Sequence, residues 1–362
     1  MAKIERISIL QASFIIITML GILDHVILLP ALLRSAGRDA WVSVLVAGLL
    51  FLCWIPFVFY IMDQSKQEHL FIWLKRRLGV PIAWMIIMII IFQLFVMCIM
   101  TIKDVTYWSN ITYLPDTPNV VIVSSLVLVS FYAVYSGIRT IAIVNGILFP
   151  FVILLGIFVA TANFPHKNYS LLFPLLEYGF EPAIKGVMYA GSGLTGILFF
   201  VYIQHRLQSK MSLRSLLWVG IVLVGLTLGP LMGAIAIFGP FEAARMRFPA
   251  YEEWRLVTFG HFLEHIDFFS IYQWLVGSFT RISIGIFLIP DLLDVQRGKR
   301  RTVLLVLLFA IMIIGSQIQI NDRTFVEFLT TMYLPYSLLL SLILSVLFVS
   351  VAWIFGKRRM EI

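Results

Sequence analysis

The sequence carries an adjacent acid and imidazole inside an apolar run. Residues 21–30 read GILDHVILLP, in which Asp24 and His25 lie between Gly21 and Pro30. An ionisable side chain inside a membrane-spanning helix is costly and usually belongs to a functional site. Glycine and proline both weaken a helix, so this stretch predicts an interrupted helix whose freed backbone groups face a cavity. A simple proline kink, with Asp24 paired to a neighbouring helix, is the alternative.

Two further apolar runs also carry residues that are unusual inside a membrane span: one holds a glycine cluster and the other an arginine. The segment YAGSGLTGIL (189–198) holds three glycines in six residues, which predicts a second helix break. Arg281 shares a helix face with Gln273, Gly277 and Gly285, because these residues recur every four positions. Half-helix N-termini and a guanidinium both suit a carboxylate, so together they predict a binding site for a ligand carboxylate. Close packing through glycine and a structural ion pair of Arg281 are the alternatives.

A third motif suggests metal chemistry only weakly. HFLEH (261–265) matches H-x-x-E-H, an inverted zinc-protease signature with Glu264 as the base. Five-residue matches arise by chance, and this one has no soluble catalytic domain around it. The chain also lacks a G-x-S-x-G, a P-loop and a C-x-x-C motif. We therefore predict no catalytic residue, no metal, no cofactor and no enzymatic activity.

Composition places these residues in a membrane. The 362 residues are 60% hydrophobic and 13% charged, whereas about a quarter of the residues of a soluble domain are charged. Mean hydropathy is +0.97. A helix needs roughly 20 apolar residues to cross a bilayer. The sequence predicts ten such spans, at 8–33, 40–62, 82–112, 119–138, 140–162, 183–205, 213–240, 268–293, 302–320 and 330–355.

The basic residues predict the orientation of the chain. Seventeen of the 27 Lys and Arg residues fall in the termini and in the connections on one side of the predicted spans, and nine fall on the other side. Because basic residues concentrate in cytoplasmic connections, both termini are predicted to be cytoplasmic. The net charge of +8 is then explained without a nucleic-acid partner.

The expected architecture is an all-α integral membrane protein with one transmembrane domain over residues 1–362. Five spans lie in 8–162 and five in 183–355, so the two halves form an inverted 5+5 repeat. Helices 1 and 6 hold the breaks and occupy matching positions, which points to a binding site between the halves. An amphipathic cytoplasmic helix is predicted at 66–79, and a large outer loop at 239–267.

Three stretches resemble a known family. They are ISILQASFIIITMLGILDHVILLP (7–30), SAGRDAWVSVLVAGLL (35–50) and TFGHFLEHIDFFSIYQWLVGSFTRIS (258–283). They resemble the B subunits of nutrient germinant receptors of endospore-forming bacteria, a branch of the amino acid–polyamine–organocation transporter superfamily. The resemblance implies the inverted repeat with helices 1 and 6 unwound. It also implies a location in the spore inner membrane, a germinant ligand that is usually an amino acid, and two partners, an A subunit and a C lipoprotein.

The resemblance further implies which residues line the ligand. They are Gly21, Leu23, Asp24 and His25 in span 1; Ile99, Met100 and Lys103 in span 3; Gly191, Ser192, Gly193, Leu194 and Thr195 in span 6; and Thr280 and Arg281 in span 8. Relatives often have small residues in the unwound part of helix 1. The bulkier Leu23, Asp24 and His25 are therefore expected to narrow the pocket or change its ligand. Lys103 lies near the outer end of its span, where snorkelling is the alternative to binding.

Three functions fit this architecture, because one fold serves several activities. The leading hypothesis is a ligand sensor, in which binding of the germinant shifts a conformational equilibrium felt by the partner subunits. The second is a proton-coupled amino acid transporter, for which Asp24 and His25 would carry protons. The third is a component of an ion-release channel.

Overall fold

The chain folds as a bundle of helices, described here from a computed structural model. The structure describes residues 5–258, 266–295 and 298–357, so HFLEH (261–265) lies outside the described residues. The first half contains α1 (Ile9–Ile22), α2 (Leu29–Ala36), α3 (Ala40–Gln64), α4 (Leu70–Leu78), α5 (Val80–Thr112), α6 (Asn119–Ser136) and α7 (Ile138–Ala162). The second half contains α8 (Phe180–Leu194), α9 (Phe199–Ile203), α10 (Leu213–Arg245), α11 (Pro249–Arg255), α12 (Phe269–Leu292), α13 (Lys299–Ser316), α14 (Asp322–Phe328) and α15 (Leu334–Lys357).

These helices match the predicted spans closely. Nine helical stretches in the described part of the chain are long and apolar enough to cross a membrane. The remaining predicted span, 302–320, coincides with α13, an 18-residue helix that begins with the basic residues Lys299, Arg300 and Arg301. The protein is thus an all-α integral membrane protein, while the full set of ten spans and their inverted repeat stay a prediction.

The first predicted break lies between Gly21 and Pro30, as the sequence predicts. Between α1 and α2 the chain forms a π turn over Leu23–Ile27, in which the Leu28 N–H donates to the Leu23 carbonyl at 2.8 Å. Pro30 follows at the start of α2 and has no N–H, so it cannot continue an α-helical ladder back to Val26. Local chemistry therefore explains why span 1 is interrupted at this depth.

Two further breaks interrupt later spans. Span 6 tightens into a 3₁₀ stretch at Thr195–Leu198, directly after the glycine cluster, and continues as α9. The last span contains a second π turn at Leu329–Tyr333, between α14 and α15. We did not predict this third break. Pro335 supplies the same signal as Pro30, because its missing N–H frees a carbonyl one turn earlier.

Helix α12 is the centre of the bundle, with 94% of its most apolar stretch buried inside the protein. It packs against α1, α5, α6 and α7. Glycines on its predicted face allow the closest approaches. A methyl group at Gly277 would lie 2.8 Å from Ile22 Cβ, and one at Gly285 would lie 2.6 Å from Cys98 Sγ. The four-residue periodicity around Arg281 therefore marks the face that packs on α1 and α5.

Polar contacts close both ends of the bundle. At the end that we call the basal face, Ile7 pairs with 206–208 through backbone hydrogen bonds, and Gln204 accepts a hydrogen bond from Ser65 at 2.9 Å. At the opposite end, the distal face, Arg247 donates to Asp104 at 2.7 Å and to Asp322 at 3.1 Å. Arg247 thereby joins the connection after α10 to α5 and α14.

The large loop on the distal face contains a buried carboxylic acid, Glu253, that packs against α10. Glu253 of α11 is 5% exposed, and its carboxylate lies against α10, where Oε2 is 2.8 Å from the position a methyl group on Gly233 would take. The Glu253 carbonyl accepts a hydrogen bond from Asn163 Nδ2 at 2.7 Å. Burial raises the pKa of Glu253 from 4.5 to about 8, and the charge of Lys167 opposes that shift only in part.

This raised pKa predicts a pH-dependent stability. The folded protein keeps a proton on Glu253 that the unfolded chain loses above pH 4.5, so stability falls as pH rises toward about 8. Glu253→Gln should remove this contribution, whose upper limit is about 1.4 kcal/mol per pH unit. The measurement is the apparent melting temperature in detergent at pH 5, 6.5 and 8. Glu252→Gln, on the same helix but paired with Arg255, should keep the wild-type slope, and equal slopes in all three proteins would contradict the assignment.

Candidate functional site

The two predicted breaks meet at a contact between an acid and a glycine. Asp24, in the π turn of span 1, is fully buried. Its Oδ1 occupies the space beside Gly193 of α8 so closely that a methyl group there would overlap it. Neither carboxylate oxygen has a hydrogen-bond partner among the described residues. Because an unpaired buried carboxylate is costly, this contact is typical of a functional site rather than of simple packing.

Arg281 of α12 is a buried guanidinium, 2% exposed, that joins several helices through its hydrogen bonds. Its Nη1 donates to the Met19 carbonyl at 2.9 Å, its Nε to Thr101 Oγ1 at 3.0 Å and its Nη2 to the Tyr333 hydroxyl at 3.5 Å. Met19 lies one turn before the first break, and Tyr333 is the last residue of the third break. One guanidinium thus connects α12 to α1, α5 and the last span, and it satisfies a backbone carbonyl beside the interruption.

A small cavity lies beside this junction. Its volume is about 30 Å³, which is room for roughly two water molecules. The lining residues are Leu20, Leu23, Gln93, Met97, Ser192, Thr195, Gly196, Leu198, Phe199, Tyr202, Arg281, Tyr333, Ser337 and Ser341. We call this space the central pocket. Its polar groups and its guanidinium suit a carboxylate-bearing ligand, but an amino acid would fit only after the surrounding helices move apart.

Four predicted ligand residues line the central pocket: Leu23, Ser192, Thr195 and Arg281. Asp24 and His25 do not line it. Asp24 is turned against Gly193, and the His25 Nδ1 lies 3.3 Å from the Leu226 carbonyl of α10. The expectation from the resemblance was that both residues line the ligand, whereas in the structure neither lines the central pocket. The π turn directs them to neighbouring helices instead.

The other predicted residues lie around the pocket or away from it. Leu194 is fully buried, and Ile99 and Met100 pack against the apolar core. Gly21 faces Leu226, and Gly191 faces Leu338. Thr280 accepts a hydrogen bond from Asn145 at 3.0 Å. Lys103 lies near the distal face, where its Nζ donates to the Ser316 carbonyl at 2.7 Å.

The sequence analysis missed the contribution of the last span. Tyr333, Ser337 and Ser341 line the pocket and recur every four residues, so they share one helix face. This polar stripe in an apolar run was a usable signal. Gln93 and Met97 of α5 also line the pocket, one turn apart. Gln93 is the only polar residue in a long apolar stretch, 86–100, and could have been found in the same way.

A second polar cluster lies on the basal face. Asp291 accepts hydrogen bonds from His205 Nε2 at 2.8 Å and from Arg206, and its carbonyl accepts one from His69 Nε2 at 2.8 Å. Two imidazoles and a carboxylate are ligands that a divalent cation uses. A cation would have to displace Arg206 from Asp291. The cluster is therefore better explained as an interlock of α12 with the ends of span 6 and the start of α4.

Comparison with known proteins identifies the family. A family model described as spore germination protein matches residues 6–325. The chain is 43% identical to spore germination protein XB of Bacillus anthracis over 350 residues, which is 96% of this chain and 98% of that protein. The chain belongs to the spore germination protein family. This confirms the resemblance to germinant-receptor B subunits that the sequence analysis described.

A more distant relative supports the same family over less of the chain. Spore germination protein KB of Bacillus subtilis (strain 168) is 25% identical over 301 residues, which is 78% of this chain and 76% of that protein. The matched family region contains Asp24, Gly193 and Arg281. The junction therefore lies within the part of the chain that defines a spore germination protein.

The contact at Gly193 predicts a large effect of a small substitution. Gly193→Ala should displace the Asp24 carboxylate and the neighbouring Leu28 side chain, which lies 3.3 Å from the added methyl position. We expect a loss of about 1–3 kcal/mol of stability from overpacking, measured as thermal unfolding of the purified protein. Gly225→Ala is the matched control, since a methyl group at Gly225 meets nothing within 4 Å. Equal stability of the two variants would show that Asp24 has room to move.

Proposed function

We propose that this spore germination protein is the membrane subunit of a nutrient germinant receptor that binds an amino acid in the central pocket. The observation that carries the proposal is Arg281, a guanidinium 2% exposed beside a polar cavity between two broken helices. A guanidinium in such a place binds a carboxylate strongly, because both partners are shielded from water. The hydroxyls of Ser192, Thr195 and Tyr333 would bind the remaining polar groups of the ligand.

Binding would be linked to movement through the same residue. Arg281 now donates to the Met19 carbonyl, Thr101 and Tyr333. A ligand carboxylate would bind the two remaining N–H groups of Arg281, and the pocket would have to widen from about 30 Å³ to admit it. Ligand binding would therefore favour a different arrangement of α1, α5 and the last span. Partner subunits in contact with these helices would detect the change, which is what a sensor requires.

The family and the positions of the basic residues support a proposal for the partners, the membrane and the orientation of the protein. We infer that the partners are a receptor A subunit and a C lipoprotein, and that the complex lies in the spore inner membrane. The basal face carries Lys75, Arg76 and Arg77 of α4 together with the basic start of α13. Since basic residues favour the cytoplasmic side, we assign the basal face and both termini to the cytoplasm.

A proton-coupled amino acid transporter is the second candidate. The observation that favours it is Asp24, a fully buried carboxyl group without a hydrogen-bond partner in the described part of the chain. Such a group beside a ligand pocket is suited to carry a proton with the ligand. Uptake of labelled L-alanine into proteoliposomes, abolished by an uncoupler, would favour the transporter. Potassium release on addition of the ligand would favour an ion channel component.

The sensor proposal predicts how spores respond when Arg281 is changed. Spores that carry Arg281→Gln in the complete receptor should need about 10–100 times more amino acid for half-maximal germination, since a charge-assisted hydrogen bond contributes about 1.5–3 kcal/mol. Germination is followed as loss of refractility across a panel of amino acids.

Arg245→Gln is the control for this experiment, because Arg245 is exposed and pairs with Glu242 on the surface. It should germinate at wild-type concentrations. Immunoblots of inner membranes should show that both variants insert to the same level. A wild-type dose–response in Arg281→Gln spores would remove Arg281 from the ligand site and with it the proposal.

A further inference from the structure

A second, larger cavity lies at the distal face. Its volume is about 160 Å³, and it is bounded by the ends of α5 and α13 and the starts of α6 and α14. The lining residues are Lys103, Thr106, Tyr107, Asn110, Asn119, Ser316, Gln317, Ile318, Gln319, Ile320, Asp322 and Phe325. We call this cavity the distal chamber. It shares no lining residue with the central pocket and is several times larger.

One face of α5 provides the main polar groups of the distal chamber. Lys103, Thr106 and Asn110 are three and four residues apart in sequence, so they lie on one side of the helix. The Lys103 ammonium donates to the carbonyls of Ser316 and Ile318 at the end of α13. These two bonds fix the ammonium group and leave its third N–H for another acceptor.

Two residues that line the chamber each carry a buried atom whose hydrogen-bonding capacity is not used by the described part of the chain. Thr106 is 7% exposed, and its hydroxyl has no hydrogen-bond partner among the residues that the structure describes. The same is true of the Asn110 side-chain oxygen, whose amide nitrogen donates to Asn119. Leaving such a group unsatisfied costs about 1–3 kcal/mol. A ligand that bonds to both atoms recovers that cost.

The charges of the lining specify the kind of ligand. Lys103 is positive, and Asp322 is negative and shares Arg247 with Asp104, so the charged side chains in and next to the chamber sum to zero. A simple anion would pair with Lys103 and face Asp322 unfavourably, and a simple cation would do the reverse. A zwitterion offers a carboxylate to Lys103 and an ammonium to Asp322 and the Asn110 oxygen. Asp322 is held in position by Arg247, which donates to both of its oxygens.

We propose that the distal chamber is a second binding site, for the ammonium and carboxylate groups of a free amino acid. The groups named recognise what all amino acids share, so side-chain selectivity is expected to be weak. The chamber has room for the smaller members, since one water molecule requires only about 10–15 Å³. The site does not depend on Arg281 or on the central pocket.

Equilibrium binding of radiolabelled L-alanine to the purified full-length protein tests this site. The assay is run on Arg281→Gln protein, in which the central pocket is impaired, so the two sites are distinguished. We expect saturable binding of one L-alanine per chain in this variant. Propionate lacks the ammonium and ethylamine lacks the carboxylate, so each should compete at least 10-fold more weakly than unlabelled L-alanine.

Substitutions at Thr106 provide the matched pair. Thr106→Ser keeps the hydroxyl and should bind L-alanine as Arg281→Gln alone does, whereas Thr106→Val is equal in size and should bind at least 5-fold more weakly. Both variants should unfold at the temperature at which Arg281→Gln alone unfolds, and binding is measured well below that temperature because Arg281→Gln is itself destabilised. Absence of saturable binding in Arg281→Gln, equal affinity of the Ser and Val variants, or propionate competing as well as L-alanine would each overturn the proposal. Absence of binding in Arg281→Gln would not contradict the ligand site proposed in the central pocket, because that site is tested separately by the germination of spores.

Discussion

The structure depends on one constraint, which is that a backbone interrupted inside a bilayer must have its polar groups satisfied by protein. Arg281 meets that constraint at the first break by donating to the Met19 carbonyl. We infer that the same guanidinium also compensates the buried Asp24 carboxyl group, which has no hydrogen-bond partner in the described part of the chain. Gly193 completes the junction, because only a residue without a side chain leaves space for that carboxylate. Close packing at Gly193 therefore joins the two interrupted spans, and Arg281 joins the first of them to α5 and the last span.

This arrangement suits a sensor because the junction and the central pocket share a residue. Arg281 uses three of its five N–H groups in contacts to α1, α5 and the last span, so a ligand carboxylate bound to the remaining two would be linked to all three helices. Polar contacts also join helix ends at both faces: Arg247 joins α5 and α14 at the distal face, and Asp291 joins α12 to the end of span 6 at the basal face. Movement at the centre would thus be transmitted to both faces through a few discrete contacts.

The sequence predicted the helices and two of the breaks because those features follow from local chemistry. Apolar length, the glycines at 191–196 and Pro30 act within one turn of where they occur. The third break was missed because Pro335 lies near the start of the predicted span 330–355, where a proline is tolerated in a helix. The directions of Asp24 and His25 were not predictable, since the face that a π turn presents depends on which neighbours pack there. The carbonyls that hold Lys103 belong to the end of α13, and only the tertiary fold brings them to α5.

A double-mutant cycle between Asp24 and Arg281 tests the central claim most directly. Unfolding of purified wild type, Asp24→Asn, Arg281→Gln and the double variant is measured in detergent. Our account predicts that Arg281→Gln alone costs about 3–5 kcal/mol, because it leaves a buried carboxylate uncompensated. Adding Asp24→Asn should restore at least about 1 kcal/mol of that loss. If the two losses simply add, the two charges do not interact, and Arg281 does not stabilise the first break by compensating Asp24.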